Sequence, residues 1–225
     1  MKRITVDDLL KNEKVLTYIK KADEQLEAMG YTEHGLRHTT WVSKRTGYIL
    51  DSLGFPERTK ELGEIAGLLH DIGNLVNREH HAQVGAILAG KLLEEMGMDP
   101  LEVADVMMAI GNHHEEDGFP SSIISGALIL ADKGDVHRSR VRKMGNIWEN
   151  LKVDIHDRVN FAATKSKVLV KPENRIISYY VEIDTNIAPV VEFFQIFLSR
   201  VLVAQRAAKP LNAKFELYIN GTKMI

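Results

Sequence analysis

Histidine and carboxylate side chains are the residues of this chain whose types and order could do chemistry. In the stretch GEIAGLLHDIGN, His70 and Asp71 interrupt an otherwise apolar run. Burying an ionised carboxylate beside an imidazole is unfavourable unless a partner compensates both groups. Either the pair satisfies itself with nearby backbone groups, or a cation lies between the two side chains. The pair alone leaves both explanations open.

Further residues of these two types stand near the predicted ends of other helices and in turns. His34 and His38 are four residues apart, so a helix would place them on one face. Imidazole and carboxylate groups bind first-row transition metals, and a bridging carboxylate can hold two cations roughly 3.5–4 Å apart for phosphate-ester hydrolysis. The collected positions are His34, His38, His70, Asp71, His80, His81, His113, His114 and Asp132.

The composition limits the class of protein. The 225 residues include 44% hydrophobic residues, enough for the core of one domain, alone or with an appendage. The absence of cysteine excludes disulfides and thiolate metal sites, and it is compatible with a reducing compartment. A formal net charge of −2 does not indicate general nucleic-acid binding. Because the sequence shows no secretory signal and no membrane-spanning apolar run, we expect a cytoplasmic protein with no membrane association.

The elements that must position these residues are mostly helices. Apolar residues recur at helical spacing over most of residues 6–150, and glycine and proline separate the segments. The predicted helices cover residues 6–30, 38–53, 57–73, 81–97, 101–114 and 121–136.

The pattern changes after about residue 155. The segments SKVLV and RIISYYVEID flank the turn KPEN, which predicts a β-hairpin; a long helix over APVVEFFQIFLSRVLVAQRAA and a last strand in AKFELYING follow. We therefore expect a helical domain over 1–150 and a small α+β (ββαβ) appendage over 155–225. The apolar stripe FFQIFLSRVLV either covers the small sheet or forms the contact of a homo-oligomer.

The ordered set His38, His70-Asp71 and Asp132 resembles the H…HD…D signature of the HD-domain metal-dependent phosphohydrolases. The matching contexts are HGLRHT, AGLLHDIGN and LILADKGD, and the resemblance covers roughly residues 30–145. It implies an all-α helical bundle in which Asp71 bridges the metals. The ligands that it implies are His38, His70, Asp71, His81, His113, His114 and Asp132.

The segments HAQVGAIL and NHHEEDGFP resemble the extra histidines of a multi-metal branch of this superfamily. That branch includes the HD-GYP cyclic di-GMP phosphodiesterases and the YqeK-like dinucleoside polyphosphate hydrolases. The chain departs from the HD-GYP pattern, because HHEEDGFP lacks the glycine-tyrosine pair. His34 stands where some relatives carry an acidic ligand, so it is a further candidate for contact with metal or substrate.

Basic residues follow Asp132 in KGDVHRSRVRK, and one or two of them could bind a substrate phosphate. Lys133 is the best candidate because it adjoins a metal ligand, whereas a solvated helix face is the plainer explanation for each arginine. In related proteins an acid close to this position lies near the site, which makes Asp135 a supporting residue or general acid/base. The predicted catalytic residues are Asp71, Lys133 and Asp135; the predicted substrate-binding residues are Lys133, Arg138, Arg140 and Arg37.

The resemblance implies hydrolysis of a phosphomonoester or phosphodiester bond in a small nucleotide-like substrate by a metal-bound hydroxide. Two divalent transition metal ions are expected, with one or three as alternatives, and iron, manganese, nickel, cobalt and zinc all suit nitrogen and oxygen ligands. One rival is a mixed-valent di-iron oxygenase of the same fold, against which the doublet His113-His114 argues. Another is a non-catalytic sensor or interaction module whose functional part is the appendage.

Overall fold

The N-terminal part of the chain is helical. The computed structural model describes residues 1–116, 118–142 and 151–225. Short 3-10 helices at Ile72–Leu75 and Arg138–Arg140 follow the fourth and seventh α-helices. The α-helices of this part are α1 (Val6–Leu10), α2 (Glu13–Ala28), α3 (Leu36–Ser52), α4 (Glu57–Leu69), α5 (His81–Glu95), α6 (Pro100–Gly111) and α7 (Ile123–Asp132).

Helix α7 lies at the centre of this helical part. Residues 124–132 are all buried, and α7 packs against α3, α4 and α6. A helix that is apolar on every side is buried on every side, as the sequence SGALILAD indicates. Helices α3 and α4 lie side by side, and a Cβ added at Gly67 would come 2.7 Å from Cα of Ser43. The close approach brings the ends of α4 and α7 toward the start of α3.

The C-terminal part is a four-stranded sheet with two helices. Helix α8 (Ile155–Ala162) leads into β1 (Ala163–Lys171), which pairs antiparallel with β2 (Ile176–Ile183). Helix α9 (Val190–Ala207) then connects β2 to its parallel neighbour β3 (Lys214–Ile219), and β4 (Thr222–Lys223) forms the last edge.

The sheet packs on the helical part through polar as well as apolar contacts. The Tyr179 hydroxyl donates to the carbonyl oxygen of Leu130 at 2.5 Å, and the Ser166 hydroxyl donates to that of Gly134 at 2.8 Å. Helix α9 packs against α7, so the C-terminal part reaches the helix that ends at Asp132. The mostly helical fold with a small C-terminal α+β part, expected from the sequence, is confirmed.

Several details of the predicted elements were wrong. The helix predicted over 6–30 is two helices, because the Asn12 side chain accepts hydrogen bonds from the Lys14 and Val15 amides and begins α2. The helix predicted to end at Gly73 ends at Leu69, and the helix predicted over 121–136 ends at Asp132. The ββαβ prediction missed β4, which follows a tight turn with positive φ at 220–221, typical of hairpins.

The proposed division into domains 1–150 and 155–225 stays a prediction. Residues 143–150, at the boundary, lie outside the described residues, and one apolar core includes side chains from both parts. In the described part of the chain, no helix is long and apolar enough to cross a membrane.

Candidate metal centre

Five helices bring their ends together around Asp71. His38 lies in the first turn of α3, His81 begins α5, and Asp132 ends α7. His70 and Asp71 follow α4 directly, and His113 lies two residues beyond α6. All six residues are at most 8% exposed. Polar groups that are placed at helix ends and buried together point to a ligand rather than to the core.

Gly73 allows the turn that carries His70 and Asp71 to contact the start of α5. A Cβ at Gly73 would overlap the backbone oxygen of His81 and approach the amide nitrogen of Gly85. A Cβ at Gly85 would come 3.1 Å from the backbone oxygen of His70. Two glycines at this crossing therefore let the HD turn and His81 share one site.

The two carboxylate oxygens of Asp71 face different imidazoles. Oδ2 lies 3.3 Å from Nε2 of His70 and 3.7 Å from Nε2 of His38. Oδ1 lies 3.6 Å from Nε2 of His81 and 3.9 Å from Nε2 of His113. Asn74 donates its amide to Oδ1 at 3.1 Å and so holds the carboxylate in this orientation. Asp71 thus has the placement of a bridging ligand.

Asp132 completes the first of these two groups. Its Oδ1 lies 3.4 Å from Nε2 of His38 and 3.7 Å from Nε2 of His70. Potential ligand atoms lie within 4.8 Å of one another in three sets: His38, His70 and Asp71; His70, His113 and Asp132; and Asp71, His81 and His113.

A hydrogen bond at Nδ1 fixes the tautomer of three of these imidazoles. Nδ1 of His70, His81 and His113 lies 2.7–3.0 Å from the backbone oxygens of Gly67, Arg78 and Ile110 respectively. Carbonyl oxygens only accept hydrogen bonds, so each Nδ1 must carry the proton. The lone pair of each neutral ring then lies on Nε2, which faces Asp71.

The inner nitrogens fit a metal better than a self-satisfied pair. Nε2 of His38 and Nε2 of His70 are buried and form no hydrogen bond with the described residues. Buried imidazole nitrogens without a hydrogen-bond partner are unfavourable, and a cation would satisfy both of them, replacing any proton that they carry. The nitrogen and oxygen donor set suits divalent transition metals. The residues present therefore fit one or more such ions, and the cation is the better answer to the question that the HD pair raises.

The pKa of His70 is shifted in the opposite direction to the pKa of His81. Burial lowers the pKa of His70, but Asp71 and Asp132 more than offset this and raise it to about 10. Burial, partly offset by Asp71, lowers the pKa of His81 to about 4. Burial opposes ionisation of Asp71, yet the adjacent His70 holds its pKa well below the ordinary value. In the metal-free protein at neutral pH, His70 therefore carries the proton that a metal would replace.

A chain of alternating charges supports Asp132. Lys133 Nζ lies 2.7 Å from Asp132 Oδ2 and 2.7 Å from Glu115 Oε2. Arg200, on the C-terminal helix α9, places Nε 3.3 Å from the other oxygen of Glu115. Burial opposes the charge of Lys133, but the two carboxylates raise its pKa, so the ammonium stays protonated. These ion pairs hold Oδ2 of Asp132, so that its Oδ1 faces the imidazoles.

Asp135 lies behind His38 rather than at the centre. Its Oδ2 is 2.7 Å from Nδ1 of His38 and 3.0 Å from Nη2 of Arg37. Arg140 donates to the backbone oxygen of Asp135 at 3.1 Å and also lines the central cavity. This placement favours the predicted supporting role of Asp135 over direct acid/base chemistry, and it gives Arg37 a structural partner.

Of the remaining predicted residues, His34 lines the central cavity, whereas His114 and Arg138 do not. His34 lines the central cavity, and its ring centroid is 5.5 Å from that of His38. The ring of His114 lies 4.9 Å from that of His81, but His114 belongs to none of the three ligand sets. Arg138 lies over the ring of Phe161 at 5.1 Å and is not among the residues that line the centre. Lys143, at the end of the basic run, lies outside the described residues.

Sequence reasoning missed three residues that line the central cavity: Arg78, Glu115 and Arg200. Arg78 stands three residues before His81, and Glu115 follows the histidine doublet, so both were within reach of a local search. Arg200 offered a subtler signal. It is seven residues after Phe193 and three after Phe197, which places a cation on the buried face of α9.

Comparison with known proteins supports the family assignment. The HD domain model matches residues 35–146. Ribonuclease Y of Latilactobacillus sakei is 31% identical over 64% of this chain and 28% of its own length. Ribonuclease Y of Lawsonia intracellularis is 36% identical over 45% of this chain and 18% of its length. An uncharacterised protein of Methanocaldococcus jannaschii is 26% identical over 62% of both chains.

The chain thus spans less than a third of the length of these ribonucleases. No solved structure matches it. The residues that match the HD model include every member of the three ligand sets around Asp71. Through residues 35–146 the chain belongs to the HD-domain family.

Proposed function

We propose that the protein is a metal-dependent phosphohydrolase that cleaves a phosphomonoester or phosphodiester bond of a nucleotide-like substrate. The observation that carries the proposal is the placement of Asp71, whose two oxygens face separate imidazole groups. Such a carboxylate suits two divalent cations held side by side. His38, His70 and Asp132 would hold one of them, and His81 and His113 the other, with Asp71 shared.

Cationic side chains around the same cavity support a phosphorylated substrate. Arg78, Lys133, Arg140 and Arg200 line it together with Asp71 and Asp132. Guanidinium groups match phosphate oxygens with paired hydrogen bonds, and the lysine adds a compact positive charge. These cations favour a phosphohydrolase over an oxygenase that acts on a substrate without phosphate.

When bound, the metal ions would activate a water molecule and stabilise negative charge on the phosphoryl oxygens. The chain's own residues prepare the site. Asp135 orients His38, while Lys133 orients Asp132 and has a protonated ammonium beside the cavity. Arg200 and Arg78, which line the cavity, would bind the phosphate.

The relatives named ribonuclease Y support a phosphodiester between nucleotides as a candidate bond. The charge of the chain does not support binding of a long nucleic acid, because the formal net charge is −2. A short substrate that reaches the centre through the arginines is therefore preferred to a long nucleic acid bound along the surface.

The first experiment measures metal content by elemental analysis in protein purified without chelator, together with Asp71→Ala. We expect about two transition-metal equivalents per chain, lost in the variant, because Asp71 is shared between both groups. Asp105→Ala is the matched control, since Asp105 is exposed on α6 and is outside the ligand sets.

The metal-loaded protein is then screened against phosphomonoesters, mononucleotides and dinucleotides. Hydrolysis that requires metal and disappears in Asp71→Ala would support the proposal. About one equivalent would reduce the site to a mononuclear one. A protein that takes up no manganese or iron at all, although folded, would overturn the enzymatic assignment.

A further inference from the structure

A second cavity adjoins the metal centre. It has a volume of about 300 Å³ and shares His34, Arg78 and Arg200 with the central cavity. This size lies at the lower end of the range for small-molecule sites. Its other walls come from the loop after α2 and from α8, which lie outside residues 35–146. The cavity is therefore a property of this chain and not of the matched HD segment.

The end of this cavity formed by α8 presents hydrogen-bond acceptors. Asn160 is 5% exposed and uses its amide nitrogen to donate to the backbone oxygen of His156 at 2.8 Å. Its Oδ1 accepts no hydrogen bond from the described residues. The carboxylate of Asp157 likewise forms no hydrogen bond or ion pair with them, whereas the backbone amide of this residue donates to Asp154. Two acceptors one turn apart on α8, the half-buried Asp157 and the buried Asn160, thus line the cavity without a donor from the described residues.

The surroundings of Asp157 disfavour its ionised form. Burial, together with the neighbouring Asp154, raises the pKa of Asp157 above its ordinary value, and His156 and Arg142 offset this only in part. Asp154 itself is engaged, because its side chain accepts from the amides of His156 and Asp157 at the start of α8. A ligand that donates hydrogen bonds would stabilise the Asp157 carboxylate.

An aromatic ring also lines this cavity. Tyr31 lines the cavity, and the guanidinium of Arg78 lies over its ring at 5.4 Å. Flat aromatic and guanidinium surfaces are platforms on which nucleobases stack. The cavity therefore combines cations that it shares with the central cavity, a stacking surface and the acceptors of α8.

We propose that this second cavity binds the base of a guanine nucleotide, with Asp157 and Asn160 accepting hydrogen bonds from its ring N1–H and exocyclic amino group. Among the common bases, only guanine presents two adjacent donors on its pairing edge. Adenine and cytosine place a ring acceptor beside their amino group, and that acceptor would face the Asp157 carboxylate. The phosphate would then extend past Arg78 and Arg200 to the metal centre.

This inference rests on the proposed phosphohydrolase function but is tested separately from it. Manganese-loaded protein is assayed for hydrolysis of the 5′-monophosphates of guanosine, inosine and adenosine and of the matching dinucleotides. Binding of the same monophosphates to the metal-free protein is measured by calorimetry. We expect guanosine compounds to be preferred over adenosine compounds by at least about tenfold, and inosine, which lacks the amino group, to be intermediate.

Asp157→Asn is the decisive variant. It replaces one acceptor oxygen with a donor, so the preference for guanine over adenine should fall about tenfold or reverse, with metal content unchanged. Asp105→Asn, which makes the same chemical change at an exposed site on α6, should keep the preference. Phosphoethanolamine tests the other source of donors, an alkyl ammonium.

The outcomes distinguish the two proposals. Hydrolysis and binding that are equal for guanine and adenine compounds would overturn the base assignment and leave the phosphohydrolase standing. Tight guanosine monophosphate binding that Asp157→Asn abolishes, without hydrolysis of any ester, would support the base site and count against the proposed activity. Preference for phosphoethanolamine over all three nucleotides would overturn the assignment to guanine.

Discussion

Oδ1 of Asp71 lies 3.6 Å from Nε2 of His81, while its other oxygen lies 3.3 Å from Nε2 of His70. His81 begins α5 and His70 directly follows α4, and the close crossing at Gly73 lets them face one carboxylate from two sides. Asp71 is therefore placed as a ligand shared between two candidate ion sites. The predictions below test the parts that hold it in place.

Replacing Asp135 should weaken metal binding without removing a proposed ligand. Asp135→Ala deprives Nδ1 of His38 of its acceptor at 2.7 Å, so the ring loses its fixed tautomer and orientation. We expect metal affinity to fall roughly 10–100-fold, as for other residues that support metal ligands. Competition with a chelator measures this. Asp135→Asn keeps an acceptor oxygen and should restore part of the affinity; equal loss in both variants would contradict the orienting role.

Metal binding should release a proton at neutral pH. Asp71 and Asp132 raise the pKa of His70 to about 10 against the effect of burial, so the metal-free ring is protonated at pH 7. The pKa of His81, lowered to about 4, leaves that ring without a proton to release. Calorimetry in buffers of different ionisation enthalpy should report about one proton per chain at pH 7. The release should decline as the pH rises toward 10, and a release that grows over this range would contradict the assignment.

Arg200 should contribute to substrate binding although it lies outside the HD segment. Arg200→Ala removes a guanidinium from the cavity wall and from Glu115, 3.3 Å away. We expect kcat/KM for the best phosphoester to fall by about 10–100-fold, corresponding to one charge-assisted hydrogen bond, with metal content unchanged. Arg206→Ala, at an exposed position of α9, is the matched control. An unchanged KM and kcat in Arg200→Ala would remove this arginine from the site.

Gly73 should be intolerant of any side chain. A Cβ there would overlap the backbone of His81, so the HD turn and α5 would have to separate. We expect Gly73→Ala to lower the free energy of unfolding by about 1–3 kcal/mol and to weaken metal binding. In contrast, a Cβ at Gly111 meets only Ala86 at 3.5 Å, so Gly111→Ala on α6 should be neutral or slightly stabilising. Chemical denaturation of both variants, with and without manganese, checks the pair.

The candidate ligands could be found from the sequence because each stands at an end of an amphipathic or apolar helix. Apolar periodicity locates helix ends to within a few residues, and a His-Asp pair is conspicuous in an apolar run. The fold class followed from the same patterns. The break of the first helix at Asn12 and the end of α4 at Leu69 were missed because side-chain caps and glycine contacts, not periodicity, decide them.

Order along the chain determined by itself that His38, His70, Asp71 and Asp132 were candidates for one metal site. Tertiary packing alone decided which oxygen of Asp71 faces which imidazole, and that Asp135 supports His38 from behind. It also brought Arg200 from the C-terminal helix into the cavity. Helical periodicity acts over one turn, whereas these contacts join residues far apart in the chain, so their geometry exists only once the helices have packed.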